Sequence, residues 1–380
     1  MKIALLTTDS REHFRDYVNP KPYFGTAPAA LIEGFAQLPG VEVHVICCVR
    51  QPVAAPEKIA PNIFYHSLLV PKLGWMTTGY QGCIRAVRTL LKKLAPDIVH
   101  GQGTERDCAI TAVFSGFPNV LTIHGNMRLI AKLNHATPFS FMWLNAHLER
   151  FTLPRSNGVV CITRYTQAAV QTLARRTWLL PNAAEGSFFE IERLPPPVPV
   201  ILCVGHVCHR KNQNAFIRAL DPLARERTFK VVFPGHAGRG DAYGAEFLGL
   251  IGQRPWCEWV GFENREQLKG RLKNATALAL PSLEDNCPMV VLEAMAAGVP
   301  VIAANVGGVP DLVEDKVNGL MCDPLDAESM RSAVRAVLDD PTAAQARAET
   351  ARQQARQRYH PRIIAARHVE IYREVLGKNH

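Results

Sequence analysis

Pro281–Gly319 reads P-S-L-E-D-N-C-P-M-V-V-L-E-A-M-A-A-G-V-P-V-I-A-A-N-V-G-G-V-P-D-L-V-E-D-K-V-N-G. Short apolar runs at Ala277–Pro281 and Val299–Ala303, bounded by Pro, Gly or polar residues, predict two strands. Met289–Ala297 between them predicts a helix, so the order is strand, acidic loop, helix, strand. Asp285 falls in the loop and Glu293 eight positions later, about a turn into the helix. The first N–H groups of that helix, at Met289 and Val290 beside Asn286, have no partner within the helix and favour an anion. Two hydroxyl-bearing rings on either side of a diphosphate would suit this layout. An ordinary loop and helix with acids near its N-terminus would read the same way, and these residues alone leave both readings open.

Working outward, the same alternation recurs along the chain. Before the stretch, Val200–Gly205, Lys230–Pro234 and Cys257–Val260 predict strands; Asn212–Leu220 and Arg265–Asn274 predict helices, and Ala327–Asp339 predicts another beyond it. In the first half the strand candidates are Lys2–Thr7, Val41–Val49, Asp97–His100, Asn119–His124 and Gly158–Thr163. Ala27–Gln37, Gly82–Leu94 and Phe141–Thr152 read as helices between them. Strands alternating with helices imply a parallel sheet covered on both faces. The proline-rich run Leu194–Pro199 reads as a stiff linker, since each proline fixes its own backbone. Two α/β halves would then face each other across a cleft, with ligands at the carboxyl ends of the strands. Ala344–Leu376 is a helical tail broken at His360-Pro361.

The 380 residues exceed one ordinary domain, and 47% hydrophobic against 20% charged residues is ample for large cores. No apolar run reaches the length of a spanning helix, and the start M-K-I-A-L-L-T-T-D-S-R-E reads as a buried first strand rather than a secretory signal. Ten scattered cysteines, several in apolar runs and none at zinc spacing, suggest reduced thiols and a cytoplasmic protein. A net charge of +9 and a pI near 9.1 point to an anionic partner. Nucleic acid is not expected, because no basic tail or aromatic-basic interleaving accompanies the charge. A phosphorylated substrate or an anionic membrane face fits, as do basic residues that only solvate the surface.

Several stretches, taken in order, resemble the retaining glycosyltransferases of GT-B fold, in particular family four, the glycosyl transferases group 1. Asp285 to Glu293 is similar to that family's E-x7-E motif. Gly25-Thr26-Ala27 resembles its glycine-rich first turn, Asp97–His100 its D-x-V-H, and Thr122–Gly125 its H-G segment. Leu180-Pro181-Asn182 is similar to the segment closing the first domain, and Val204-Gly205 through Lys211 to the G-R-x4-K phosphate segment. Gly307–Asp311 and Asn318-Gly319 resemble the turns after the acidic motif.

The resemblance implies a GT-B fold with Rossmann-like domains over 1–190 and 191–358, and a helix over 359–380 crossing back to the first. It implies transfer of a sugar from a nucleoside diphosphate donor, a UDP- or GDP-sugar, to a glycan or lipid-linked glycan, with retained configuration. The nucleotide sugar is substrate; no cofactor and no metal are implied, Lys211 and Arg210 carrying the phosphate charge. Peripheral contact with an anionic inner membrane face is compatible. Matched by position, Glu293 would bind the ribose hydroxyls and Asp285 or neighbouring Glu284 the sugar hydroxyls. Lys211 would stabilise the leaving diphosphate, and His124 would contact the sugar near its reacting carbon, the alternative for His124 being a satisfied core histidine. Gly25 and Thr26 would let the backbone approach the substrate.

The chain departs from the pattern at His206, where the family has Arg, at Asp285 in place of Glu, and at Pro288, which removes a backbone donor. Two other readings of the fold therefore stay open. One is a sugar-nucleotide epimerase or hydrolase, for which Glu105 and Asp107 are candidate carboxylates; the other is a non-catalytic nucleotide-sugar-binding subunit. Two helical stretches stand outside the motifs. Gly82–Leu94 sets Arg85, Arg88, Lys92 and Lys93 against an apolar stripe, which fits a solvated face or an anionic membrane. Met127–Leu144, with Phe139, Phe141, Met142 and Trp143, reads as buried packing or as an acceptor- or lipid-facing surface.

Overall fold

The computed structural model describes residues 1–194, 196–238 and 240–377. Pro195 of the expected linker and 378–380 of the expected final segment lie outside them. Two compact units emerge, one of Met1–Ala183 with the chain from Pro361 onward, the other of Ala184–His360. The division falls before residue 190 because 184–190 pack within the second unit. Phe188 there is fully buried, and Ala184 N donates to Tyr359 O at 3.0 Å.

The first unit is built on strands β1 (Lys2–Leu6), β2 (Glu42–Val49), β3 (Lys58–Ala60), β4 (Ile63–Leu69), β5 (Ile98–Gln102), β6 (Asn119–Ile123), β7 (Val159–Cys161) and β8 (Thr177–Leu179). They form one sheet in the order β3-β4-β2-β1-β5-β6-β7-β8, parallel except for the β3–β4 pair. Alternation along β1 sends Ile3 and Leu5 into one layer with the helices Thr26–Ala36 and Pro361–Val375. Ala4 and Leu6 face the other layer, with Gln81–Leu94 and Asp107–Val113. The helix Gln81–Leu94 buries Cys83, Ile84, Val87 and Leu91 and leaves Arg85, Arg88, Lys92 and Lys93 exposed, the solvated-face reading.

The second unit carries β9 (Val200–Leu202), β10 (Lys230–Pro234), β11 (Cys257–Gly261), β12 (Ala277–Leu280), β13 (Val301–Ala304) and β14 (Leu320–Cys322), all parallel, in the order β11-β10-β9-β12-β13-β14. The helix begun near Asn212 runs from Gln213 to Glu226, past Pro222. Pro222 and Arg218 are both exposed, so the carbonyl that loses its donor meets solvent. The tail divides as expected, into helices Pro341–Arg358 and Pro361–Val375.

In each sheet the chain builds outward from one strand, then returns to its other side. The switch lies between β1 and β5 in the first unit and between β9 and β12 in the second. Loops leaving adjacent strands diverge there and open a crevice at the carboxyl edge, where such sheets take ligands.

Candidate active site

Both loops at the second unit's switch point carry the expected residues. β12 is wholly buried and delivers the chain through Ser282 to Asp285. The Asp285 carboxylate pairs with Lys211 Nζ at 2.6 Å and accepts from Ser282 Oγ at 3.3 Å. Its backbone oxygen accepts from Gly308 N at 3.0 Å. Gly307 is required beside it: φ is +55°, and a Cβ would stand 2.0 Å from the Asp285 oxygen. The two loops are also joined through backbone, Leu283 N donating to Arg210 O at 2.8 Å and Arg210 Nη1 to Glu284 O at 2.9 Å. Burial raises the Glu284 carboxyl, partly offset by Arg210, whose Nη1 lies 3.5 Å from Glu284 Oε2. Lys211, Arg210, Glu284 and Asp285 thus form one charged cluster.

Glu293 stands in the helix Met289–Ala296 and is 1% exposed. Its Oε1 accepts from Arg265 Nη1 at 2.7 Å; burial raises the carboxyl and Arg265 opposes that shift. Arg265 Nη2 also lies 2.9 Å from Glu185 Oε1, and its guanidinium sits 4.6 Å from the Phe188 ring centroid. Asn286, Met289 and Val290 are partly exposed where loop becomes helix, and Pro288 holds the N-cap position without a side-chain bond.

His206 follows Gly205 and is exposed, its ring lying along that of His236 at 5.7 Å and 17°. Close approach of these two loops needs glycine, since a Cβ on Gly235 would stand 1.9 Å from the Gly205 oxygen. Arg265, Glu185 and His236 were not legible as site residues. Arg265 reads as the first residue of a capped helix, and nothing in spacing ties it to Glu293.

His124, Gly25 and Thr26 belong to the first unit. His124 follows β6 and its Nε2 lies 2.8 Å from Gln102 Oε1. An amide oxygen only accepts, so Nε2 carries the proton. Burial pulls the imidazole down to about 4, with a bond to Asn182 opposing, which leaves it neutral at pH 7. The same Gln102 donates through Nε2 to His100 Nε2 at 3.0 Å, and His100 Nδ1 meets Tyr372 Oη at 2.6 Å. Gly25 precedes the helix Thr26–Ala36 with an ordinary φ of −57°, and a Cβ there would meet only Pro28 Cδ at 3.7 Å. Nothing in the protein itself demands glycine at 25.

The carboxylates considered for an epimerase or hydrolase are committed elsewhere. Glu105 accepts from Thr104 N at 2.8 Å, and Asp107, 6% exposed, groups with Cys48 and Cys83, their ligand-type atoms within 4.8 Å of one another. Burial raises both carboxyls.

Residues 186–357 match the family model of glycosyl transferases group 1, and residues 27–185 that of glycosyltransferase family 4. Together the two models account for both units in chain order. The chain belongs to the family 4 glycosyltransferases. Among curated relatives, it is 30% identical over 182 residues to an uncharacterized glycosyltransferase of Methanocaldococcus jannaschii, covering 47% of this chain and 46% of that protein. It is 38% identical over 114 residues to glycogen synthase of Mycobacterium tuberculosis, covering 30% and 28%. These matches span half or less of either relative. A 2-deoxystreptamine glucosyltransferase of Streptomyces kanamyceticus is matched more fully, 27% over 295 residues, 71% of this chain and 74% of the relative. Among solved structures, sucrose-phosphate synthase from Thermosynechococcus elongatus superposes with TM-score 0.73 at 19% identity over 100% of both chains. Anabaena HepE in complex with UDP-glucose does so with TM-score 0.71 at 17% identity, over 98% of this chain and 100% of that one. The family 4 chain thus has the GT-B fold.

Proposed function

We infer that this protein transfers a glycosyl group from a nucleoside diphosphate sugar to a glycan or lipid-linked glycan, without a metal and with retained configuration. The observation that carries this reading is the cluster at the second unit's switch point. There Lys211, Arg210 and Asp285 converge on the loop that starts the helix bearing Glu293. The solved complexes of HepE with UDP and with UDP-glucose support a nucleoside diphosphate sugar as donor.

Lys211 pairs with Asp285 at 2.6 Å. An incoming diphosphate competes for Lys211 and releases Asp285 toward the sugar hydroxyls, with Glu284 beside it. Lys211 and Arg210 then neutralise the charge that develops as the bond from the anomeric carbon to the phosphate oxygen breaks. The N–H groups at Met289 and Val290 support the same diphosphate. Glu293 accepts from the ribose hydroxyls, while Arg265 opposes the upward shift that burial imposes on its carboxyl. The acceptor hydroxyl attacks the anomeric carbon on the face that the phosphate leaves, and its proton passes to the released phosphate oxygen. His124, neutral with its Nε2 proton on Gln102 Oε1, supplies no net charge. Among described residues no helix is long and apolar enough to cross a membrane; the reading includes peripheral contact with a lipid-linked acceptor.

Incubation with UDP- and GDP-sugars and a panel of acceptors tests this. Nucleotide release that requires acceptor is the expected result. Release without acceptor, yielding an altered sugar, would favour an epimerase or hydrolase, and tight donor binding without turnover a binding subunit.

A further inference from the structure

The net charge of +9 is not accounted for by the nucleotide site, whose basic residues are matched by acids. Part of it concentrates on the first unit between residues 127 and 155. Arg128, Lys132, Arg150 and Arg155 lie there against a single acid, Glu149, which is fully buried and accepts from Met127 N at 2.9 Å. The exposed face of this stretch is therefore purely basic.

The surface of this stretch is also unusually apolar. Phe139 is 79% exposed, Phe141 56%, Leu133 53% and Phe151 39%. Of the two readings of Met127–Leu144, buried packing fails at Phe139, Phe141 and Leu133. Along the helix Phe141–Thr152 and its flanks, Phe139, Trp143, His147, Phe151 and Arg155 recur every fourth residue, which forms one surface ridge. Neighbouring rings touch: Phe139 lies 5.3 Å from Trp143, and Trp143 lies 3.8 Å from His147. Arg155 covers the Phe151 ring at 3.8 Å. Phe139 holds a φ of +63°, a costly conformation for a bulky side chain, and there it presents its ring to solvent.

We propose that this ridge, with Arg150 on the same helix and Lys132 exposed on the helix Met127–Leu133 packed against it, docks on an anionic lipid bilayer. Large apolar side chains enter the interfacial zone while cations beside them meet lipid phosphates. The exposed cations favour a surface of lipid phosphates over a neutral glycan. The helix Gln81–Leu94, basic as well, has its apolar residues in the core and so lacks the insertion component. The proposal rests on the peripheral contact included in the functional reading, but its test involves no turnover.

Full-length protein is sedimented with vesicles of phosphatidylcholine alone or with a quarter phosphatidylglycerol, at low and at about 0.5 M salt. Binding only to the anionic vesicles, weakened by salt, is expected. Lys132→Ala and Arg150→Ala should each lower partition about fivefold, and Phe139→Ser with Phe151→Ser should lower it further at either salt. Unchanged melting temperature and unchanged donor binding would show these surface variants to be folded. Absence of binding to anionic vesicles would overturn the proposal, as would equal losses from Arg85→Ala and Arg88→Ala. Concentration-dependent dimers abolished by the same phenylalanine changes would instead assign the ridge to a second copy.

Discussion

Removing Arg265 should expose what opposes the effect of burial on Glu293. The carboxylate is 1% exposed, and its one strong partner is Arg265 at 2.7 Å, itself held between Glu293 and Glu185. Breaking a buried pair from one side leaves an uncompensated charge, so Arg265→Leu should cost about 3–5 kcal/mol. Glu293→Gln keeps the shape and leaves Arg265 on Glu185; loss of a hydrogen bond to a charged group puts its cost at about 1.5–3 kcal/mol. In the double variant neither charge is stranded at position 293. Its cost should fall short of the sum by about 1–3 kcal/mol. The pH dependence has a definite sign. Burial already raises the Glu293 carboxyl and Arg265 opposes this, so Arg265→Leu raises it further. The folded variant then binds a proton that the unfolded chain has released, and stability falls as pH rises above the ordinary carboxylate range. Urea unfolding of the four proteins over that rise in pH measures both effects. Additive costs, within about 0.5 kcal/mol, together with a deficit independent of pH would refute the reasoning.

Acid should loosen the first unit through its buried histidines. His124 and His368 are pulled down to about 4 and about 3, whereas unfolded histidine titrates near 6.5. Their contribution is therefore complete above pH 6.5 and declines as pH falls below it. Replacing His368 by Phe should reduce the stability lost between pH 7 and 5 by about 2 kcal/mol, read from urea midpoints at the two pH values. Gly307→Ala should cost more than about 1 kcal/mol and displace Asp285, so both the urea midpoint and donor turnover should fall. Gly25→Ala has room for its methyl group and should stay within about 1 kcal/mol of the parent protein. Loss of turnover there, with the melting temperature retained, would mark a substrate approaching that backbone.

The sheets were largely legible because buried parallel strands appear as apolar runs such as Lys2–Leu6 and Ala277–Leu280. β3, β4, β8 and β14 escaped, β4 because His66 and Ser67 interrupt it, the others because each is only three residues long. The acidic loop and the Gly205–Lys211 loop were legible as motifs, but the contacts that join them depend on strand order. Neither Arg265 and Glu185 nor Cys48, Cys83 and Asp107 share any sequence spacing, and only topology assembles them. The exposed ridge was misread in part because Phe and Trp in a helical pattern ordinarily face a core.

The most direct test of the central claim is donor-induced stabilisation of the wild-type chain, Lys211→Met and Glu293→Gln. A donor at about a hundred times its Kd adds about 2.7 kcal/mol to stability. The account predicts that a UDP- or GDP-sugar raises the melting temperature of the wild-type protein and that either substitution abolishes most of that rise. An equal rise in all three proteins would place the nucleotide sugar elsewhere and contradict the account.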